Sequence, residues 1–541
     1  MRRFSYVERQ KNLSQVDEQV FDLVIIGGGI VGAGVAREAA LRGMKVVLVE
    51  ARDFASGTSS RSSKLIHGGI RYLENLEFHL VFEALNERNL LFEMAPHLVH
   101  HLRFMIPLYK NSRVGMLKMG LGMWLYDALA LFQAPQLHER LNAEKTINRM
   151  PSLRKENLVG SFVYSDGYMD DDRLVIETLR SADAAGALCF NDTPASRLHI
   201  DDGKIRRLEI CDSITSKTYT LRGKHFVSCV GPWTDIFAGM NFNDWKPIMR
   251  PTKGIHLTLK KDRLPLSCAV VMAAEKSERI IFGIPRHEMI IIGTTDTDYR
   301  GDPADVVTTA EDVDYLLEIV EQYFPGARLK KEDIVACYAG VRPLVDDGSE
   351  SEGKTSREHT IFSDQRGITF VAGGKYTTYR KISEDVVKEC LKFFSSADKE
   401  KFSRSRSKDP LNPAVTAPSY FRALQEAEEL AKSSGQDVTL VRTLVERHGP
   451  EAEEMLKKYP GQSYWAMEAF HSIHFTMCMN ITDFFTRRSH LFLTEKDHGL
   501  SYFDEVARVF ASEFKWTNEE ILRQREGFSK HISREMEWAH F

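Results

Sequence analysis

FDLVIIGGGIVGAGVAREAALRGMKVVLVE, residues 21–50, decides the fold. Leu23 to Ile26 form an apolar run, GGGIVGAG follows, an alanine-rich helical stretch comes next, and Val46 to Val49 close the segment. That order reads as strand, glycine turn, helix, strand. Gly27, Gly29 and Gly32 make G-x-G-x-x-G, and Glu50 ends the second strand 50 − 32 = 18 residues later. Gly27 permits the tight turn. Gly29 lets a pyrophosphate approach the N–H groups at the helix start, where Ile30 and Val31 follow, and Gly32 lets the helix close on the strand. Glu50, with Ala51 beside it, is placed to meet an adenosine ribose. The fingerprint predicts a dinucleotide and leaves FAD and NAD both open.

Residues 51–74, ARDFASGTSSRSSKLIHGGIRYLE, extend this unit with hydroxyls and bare backbone suited to a phosphate chain or ring. Ser59, Ser60, Ser63, Leu65 and Ile66 are the expected cofactor contacts, and His67, Arg71 and Tyr72 come directly after them. An apolar strand ends in Gly231-Pro232-Trp233. A later one meets Gly374, Lys375, Tyr376, Thr377 and Thr378, a turn and helix start whose N-terminus suits an electron-rich ring.

The chain has 541 residues, enough for about three domains. Hydrophobic residues at 43% and charged residues at 27% exclude collagen-like, disordered and multi-span membrane classes. Net charge, 72 − 76 = −4, gives no footprint for nucleic acid. Seven cysteines without CxxC spacing predict a reducing compartment with neither disulfides nor a metal site. The first twenty residues carry charges throughout and no apolar run, which predicts a cytoplasmic chain without a cleaved signal. No stretch is long and apolar enough for a spanning helix, which leaves binding at a membrane surface open.

The pattern predicts an N-terminal extension over 1–20 and an α/β, Rossmann-like unit within 21–395 (about 21–80, 150–235 and 335–395). Interleaved with it is a substrate domain (about 81–149 and 236–334). Residues 187–300 read as short β runs, which suggest an antiparallel sheet beside the first unit. Residues 396–419 are rich in Ser, Pro and charge and read as a linker, and 420–541 alternate charge and apolar residues at helical spacing, an all-helical C-terminal domain.

The fingerprint, SSRSSKLIHGGIRYLE at 59–74, SDGYMDDDRL at 165–174, CVGPW at 229–233, TKGIH at 252–256, IIGTTDTDYRGDP at 291–303, YAGVRPLVDD at 338–347 and GGKYTTYRK at 373–381 resemble, in order, the FAD-dependent (aerobic-type) glycerol-3-phosphate dehydrogenases. ITDFFTRR at 481–488 resembles that family's C-terminal domain more loosely. The resemblance implies FAD and oxidation of sn-glycerol 3-phosphate to dihydroxyacetone phosphate, with hydride passing from C2 to flavin N5 and electrons leaving to a membrane quinone. It further implies substrate contacts at Arg71, Tyr72, Arg342, Arg357 and Lys375. Three cations of that set, Arg71, Arg342 and Lys375, stand next to cofactor-lining glycines, as a phosphate monoester requires.

Loss of hydride from C2 requires removal of its hydroxyl proton. His67 and His256 are the candidate bases, His67 slightly preferred, and Arg342 is the candidate for polarising the hydroxyl. Asp296 and Asp346-Asp347 read as orienters of neighbouring cations or as turn caps. Residues 113–132, RVGMLKMGLGMWLYDALALF, with Lys110 and Lys118 nearby, read either as core or as a helix in a bilayer interface. The resemblance favours peripheral association with the inner face of the cell membrane, on an anionic surface. A homodimer is left open. An oxidase that uses oxygen and makes peroxide, and an amine- or hydroxyl-oxidising flavoenzyme of the wider superfamily, are the alternative activities.

Overall fold

The computed structural model describes residues 3–73, 76–273, 279–346 and 359–540. Strand Val20–Ile26 pairs in parallel with Val46–Val49 on one side and with Lys217–Ser228 on the other. Leu188–Phe190 and Ile368–Gly373 extend the parallel set, and His359–Asp364 closes one edge antiparallel. Both faces of this sheet are covered, which is why its strands read as unbroken apolar runs: Leu23, Val24, Ile25 and Val46 to Leu48 are fully buried. From Val20–Ile26 the chain runs toward one edge and from its neighbour Lys217–Ser228 toward the other, so the crevice beyond their carboxyl ends is the place where such a sheet binds ligands.

The β-rich run divides between two sheets. Ala195–Asp201, Lys204–Asp212 and Lys217–Ser228 complete the first, because Lys217–Ser228 is its parallel neighbour and not part of a separate antiparallel layer. The second sheet begins at Thr252–Lys260 and orders Thr297–Asp298, Thr252–Lys260, Met289–Gly293, Ile280–Arg286, Ala269–Ala273, Val99–Tyr109, Leu158–Met169 and Leu65–Ile66. It is antiparallel except where Ala269–Ala273 meets Val99–Tyr109. Leu65–Ile66 therefore carries the chain from the serine-rich loop directly into this sheet.

Helix Ile30–Leu41 packs between Asp171–Ala184 and Tyr379–Leu391. Gly34 allows that approach: a Cβ there would lie 2.2 Å from Ser383 Oγ. The tail is helical, its helices started by the side chains of Thr416, Asp437, Ser463 and Thr517 at their N-caps. Phe484, Phe485, Phe503, Phe510 and Phe528 are fully buried in its core. Asp53, just past the ribose strand, joins the tail to the first sheet by ion pairs to Arg487 and Arg488, both at 2.7 Å. Residues near 407 lie against the first domain, where Arg37 donates to Ser407 O at 2.7 Å and Arg380 to Ser407 Oγ at 2.9 Å. No helix among the described residues is long and apolar enough to cross a membrane.

Candidate active site

Gly27 sits at φ +107°, and a Cβ on it would lie 2.5 Å from Cys229 O, so turn and neighbouring strand both require glycine. A Cβ at Gly32 would meet Gly27 O at 1.9 Å, which is how closely helix and turn pack. Gly29 differs, since only Ser59 Oγ lies within reach of a Cβ there, at 3.1 Å. That hydroxyl accepts the Ile30 N–H at 3.0 Å. Glu50 Oε2 accepts Gly28 N–H at 2.6 Å and Oε1 accepts Arg52 N–H at 3.0 Å. Burial raises the Glu50 carboxyl above its ordinary value, while those two N–H groups pull the other way.

A cavity of about 500 Å³ joins this turn to the candidate chemistry. Gly27, Gly29, Ile30, Val31, Glu50, Ala51, Ser59, Ser63, Leu65, Gly231, Pro232, Trp233, Gly374, Tyr376 and Thr377 line it, and so do His67, Tyr72, His256, Arg342 and Lys375. Gly32, Ser60, Ile66 and Thr378 do not reach it. Gly32 is spent on helix packing, Ile66 is fully buried in the core, and the carbonyl of Ser60 accepts Lys64 Nζ at 3.3 Å. The Arg71 side chain and all of Arg357 lie outside the described residues, as does Asp347.

Two of the cations are held very differently. Arg342 is fixed by Asp296 Oδ1 at 2.9 Å, Thr294 Oγ1 at 2.8 Å and Thr295 O at 3.0 Å. Lys375 Nζ lies 3.7 Å from the centroid of the Tyr72 ring and is buried with no hydrogen-bond partner among the described residues. An ammonium in that position needs an anionic or polar partner from a ligand.

His256 Nε2 meets Ser63 Oγ at 2.8 Å, and its ring stacks on Tyr338 with centroids 4.8 Å apart. Burial first, then Arg342 and Lys64, holds its pKa well below the ordinary histidine value, so the imidazole is neutral. Its Nδ1 is buried without a partner among the described residues. His67 is held through its backbone: its N–H donates to Thr377 Oγ1 at 3.3 Å, and its carbonyl accepts from the same hydroxyl at 3.4 Å.

One group was not read from the sequence. Lys64, 2% exposed, pairs with the fully buried Asp171, whose other carboxylate oxygen accepts Ser62 Oγ at 2.7 Å and whose carbonyl accepts the Tyr376 hydroxyl. Asp171 thereby ties the serine-rich loop to the late glycine turn. Its only local signal is a run of three acids at a helix start, which reads as ordinary first-turn chemistry.

An extended dinucleotide fits these residues. A bare helix start faces the cavity at Gly29, and the orphaned Lys375 Nζ and His256 Nδ1 belong to residues lining the same space. Gly29→Val is expected to fold, because the one side-chain atom near a Cβ there, Ser59 Oγ at 3.1 Å, is the end of a small side chain that can turn aside, yet to bind flavin on the order of a hundredfold more weakly by blocking the phosphate approach. Flavin absorbance per protein after purification checks this, and full occupancy would contradict the placement.

Residues 22–380 match the family described as FAD dependent oxidoreductase, and residues 417–521 match the C-terminal domain of alpha-glycerophosphate oxidase. The aerobic glycerol-3-phosphate dehydrogenase of Staphylococcus saprophyticus is 33% identical over 540 residues, 98% of this chain and 96% of that one. The crystal structure of the glycerol-3-phosphate dehydrogenase from Bacillus halodurans complexed with FAD superposes with a TM-score of 0.80 at 30% identity, covering 98% of both chains. The dithionite-reduced L-alpha-glycerophosphate oxidase from Mycoplasma pneumoniae shares the fold at 17% identity and a TM-score of 0.52, covering 69% of this chain and 95% of that one.

Proposed function

Because the chain belongs to the family of FAD-dependent oxidoreductases, we propose that it oxidises sn-glycerol 3-phosphate at C2 to dihydroxyacetone phosphate and delivers the electrons to a membrane quinone. The observation that carries this reading is the buried Lys375 ammonium, without a hydrogen-bond partner among the described residues, lining one cavity with a fixed Arg342 and the dinucleotide turn. A phosphate dianion is the ligand that such a pair recognises.

When bound, FAD supplies the acceptor for the C2 hydride. Arg342, held in place by Asp296 and the Thr294-Thr295 segment, meets the phosphate without first having to order its side chain. Lys375 and Tyr72 complete that end, with Arg71 and Arg357 as further cations. His67 takes the C2 hydroxyl proton. His256 is less suited to that step, because a base held neutral so far below the working pH accepts a proton weakly. It orients the hydroxyl instead, its ring fixed by Ser63 and Tyr338.

Docking at the membrane rests on the helix Met116–Leu129, which divides into two faces. Met123 is fully buried and Tyr126 and Asp127 nearly so, which makes the inner face core; Leu117, Leu121 at 67% and Trp124 at 59% are exposed on the outer one. Phe78 and Phe82, on a helix packed against it, are exposed as well. Apolar area of this kind with Lys110 and Lys118 beside it suits an anionic bilayer, the lysines adding roughly 1 kcal/mol each. Leu121→Glu with Trp124→Glu is expected to abolish sedimentation with anionic vesicles and quinone reduction while turnover with a soluble dye persists. Continued sedimentation, or dye turnover lost together with thermal stability, would contradict docking through this face. Reoxidation of substrate-reduced enzyme tests the acceptor: faster reaction with quinone supports the proposal, and faster reaction with oxygen makes the protein an oxidase.

A further inference from the structure

Behind His67, a chain of three buried polar side chains ends on one backbone amide. Arg88 lies on helix Phe78–Met94, Tyr126 on Met116–Leu129 and Asp166 on strand Leu158–Met169, and each is at most 1% exposed. Arg88 Nη1 donates to Asp166 Oδ1 at 2.6 Å, and the Tyr126 hydroxyl donates to Asp166 Oδ2 at 2.8 Å. The Gly68 N–H donates to the Tyr126 oxygen at 3.0 Å and to Asp166 Oδ1 at 3.3 Å. No side chain fits at Gly68, where a Cβ would lie 2.5 Å from both the Tyr126 oxygen and Leu85.

The surroundings are apolar: Leu85, Met123, Phe162 and Tyr164 belong to the same core cluster as Tyr126. A buried ion pair in such a place is a weak source of stability, because desolvation offsets the attraction, and well-packed apolar residues would serve the core as well or better. What an apolar trio could not supply is a fixed acceptor for the Gly68 N–H. The His67-Gly68 segment is thus gripped on two sides, by Thr377 at His67 and by Tyr126 with Asp166 at Gly68.

We propose that Arg88, Asp166 and Tyr126 are positioning residues that set the place of His67 in the substrate cavity. Arg88 orients Asp166, Asp166 orients the Tyr126 hydroxyl, and together they fix the peptide through which His67 is aimed. This rests on the reading that His67 takes the C2 hydroxyl proton.

The test is a double-mutant cycle in the flavin-loaded enzyme. Tyr126→Phe keeps the ring and removes the hydroxyl, and His67→Asn removes the base. The readout is the limiting rate of anaerobic flavin reduction by glycerol 3-phosphate, with substrate affinity and melting temperature measured alongside. Tyr126→Phe is expected to slow reduction by about tenfold or more, since sub-ångström displacement of a reacting group is costly. Substrate affinity and flavin content should change little. In the His67→Asn background the same substitution is expected to have no further effect. A merely structural role would slow both backgrounds alike, and that additivity, or an unchanged rate in Tyr126→Phe, overturns the proposal. Asp166→Asn is the second variant should Tyr126→Phe prove unstable, and it is expected to show the same non-additivity. Failure of the substrate reading is separate, because it appears as wild-type flavin that glycerol 3-phosphate does not reduce.

Discussion

Arg342→Leu is expected to cost about 3 kcal/mol in kcat/KM for glycerol 3-phosphate, on the order of a hundredfold. The size follows from how the guanidinium is held. Asp296, Thr294 and the Thr295 carbonyl fix it before any ligand arrives, so its charge-assisted bonds to a phosphate are made without an ordering cost, and leucine replaces none of them. The substitution also removes the guanidinium paired with Asp296, turning local charge against an incoming dianion. Discrimination between glycerol 3-phosphate and plain glycerol should narrow with it. Steady-state kinetics on both substrates check this, and unchanged discrimination would place the phosphate elsewhere.

Asp53→Asn is expected to be the most damaging substitution for stability, at about 3–5 kcal/mol, because it leaves the buried Arg488 against a neutral group and Arg487 with Asp483 alone. Burial alone would lift the Asp53 carboxyl, but Arg488 and Arg487 outweigh it and hold the group down to about 2. Its unfolded value is about 3.9, so its contribution is present above that pH and is lost as pH falls toward 2. Asp192 and Asp483, in the same charged region, run the other way. Burial, with Asp53 among the charges adding to it, lifts them to about 7 and about 6. The stability they give is complete below about pH 4 and fades as pH rises through those values. Asp53→Asn should therefore flatten the acid limb of the melting curve and, by removing one of the charges that lift Asp192 and Asp483, make the slope between pH 5 and 7 shallower as well. Thermal unfolding across pH reads both limbs, and a variant as stable as the parent at pH 7 would contradict the clamp. Because Asp53 lies three residues after Glu50, the variant should also release flavin more readily.

What could be read from the chain and what could not divide along physical lines. Gly27, Gly29 and Gly32 are legible because a tight turn, a phosphate approach and a helix contact each exclude a side chain within a few residues of sequence. Arg342, Lys375, His67 and His256 are legible as chemistry beside such glycines, and the resemblance named their roles. Their supports are not. Ser63 meets His256 from 193 residues away, Lys64 meets Asp171 from 107, and Arg488 reaches Asp53 from 435. Such pairs are fixed by how the sheets and the tail dock, and no local pattern records it. The serine-rich stretch after 395 shows the same limit: its composition reads as linker, yet Phe402, Ser407 and Leu411 are buried because Arg37, Arg42 and Arg380 bind its carbonyls and hydroxyls. Met123 and Trp124 are adjacent and equally apolar in sequence, but helix phase puts one in the core and the other in solvent.

The flavin cavity is expected to take a phosphorylated polyol. The most direct measurement mixes flavin-loaded protein with glycerol 3-phosphate in the absence of oxygen and follows the loss of the oxidised flavin band. Glycerol 3-phosphate is expected to bleach it within a turnover time, with plain glycerol slower by on the order of a hundredfold or more. Flavin that stays oxidised with glycerol 3-phosphate, or that both polyols bleach equally, would contradict the account.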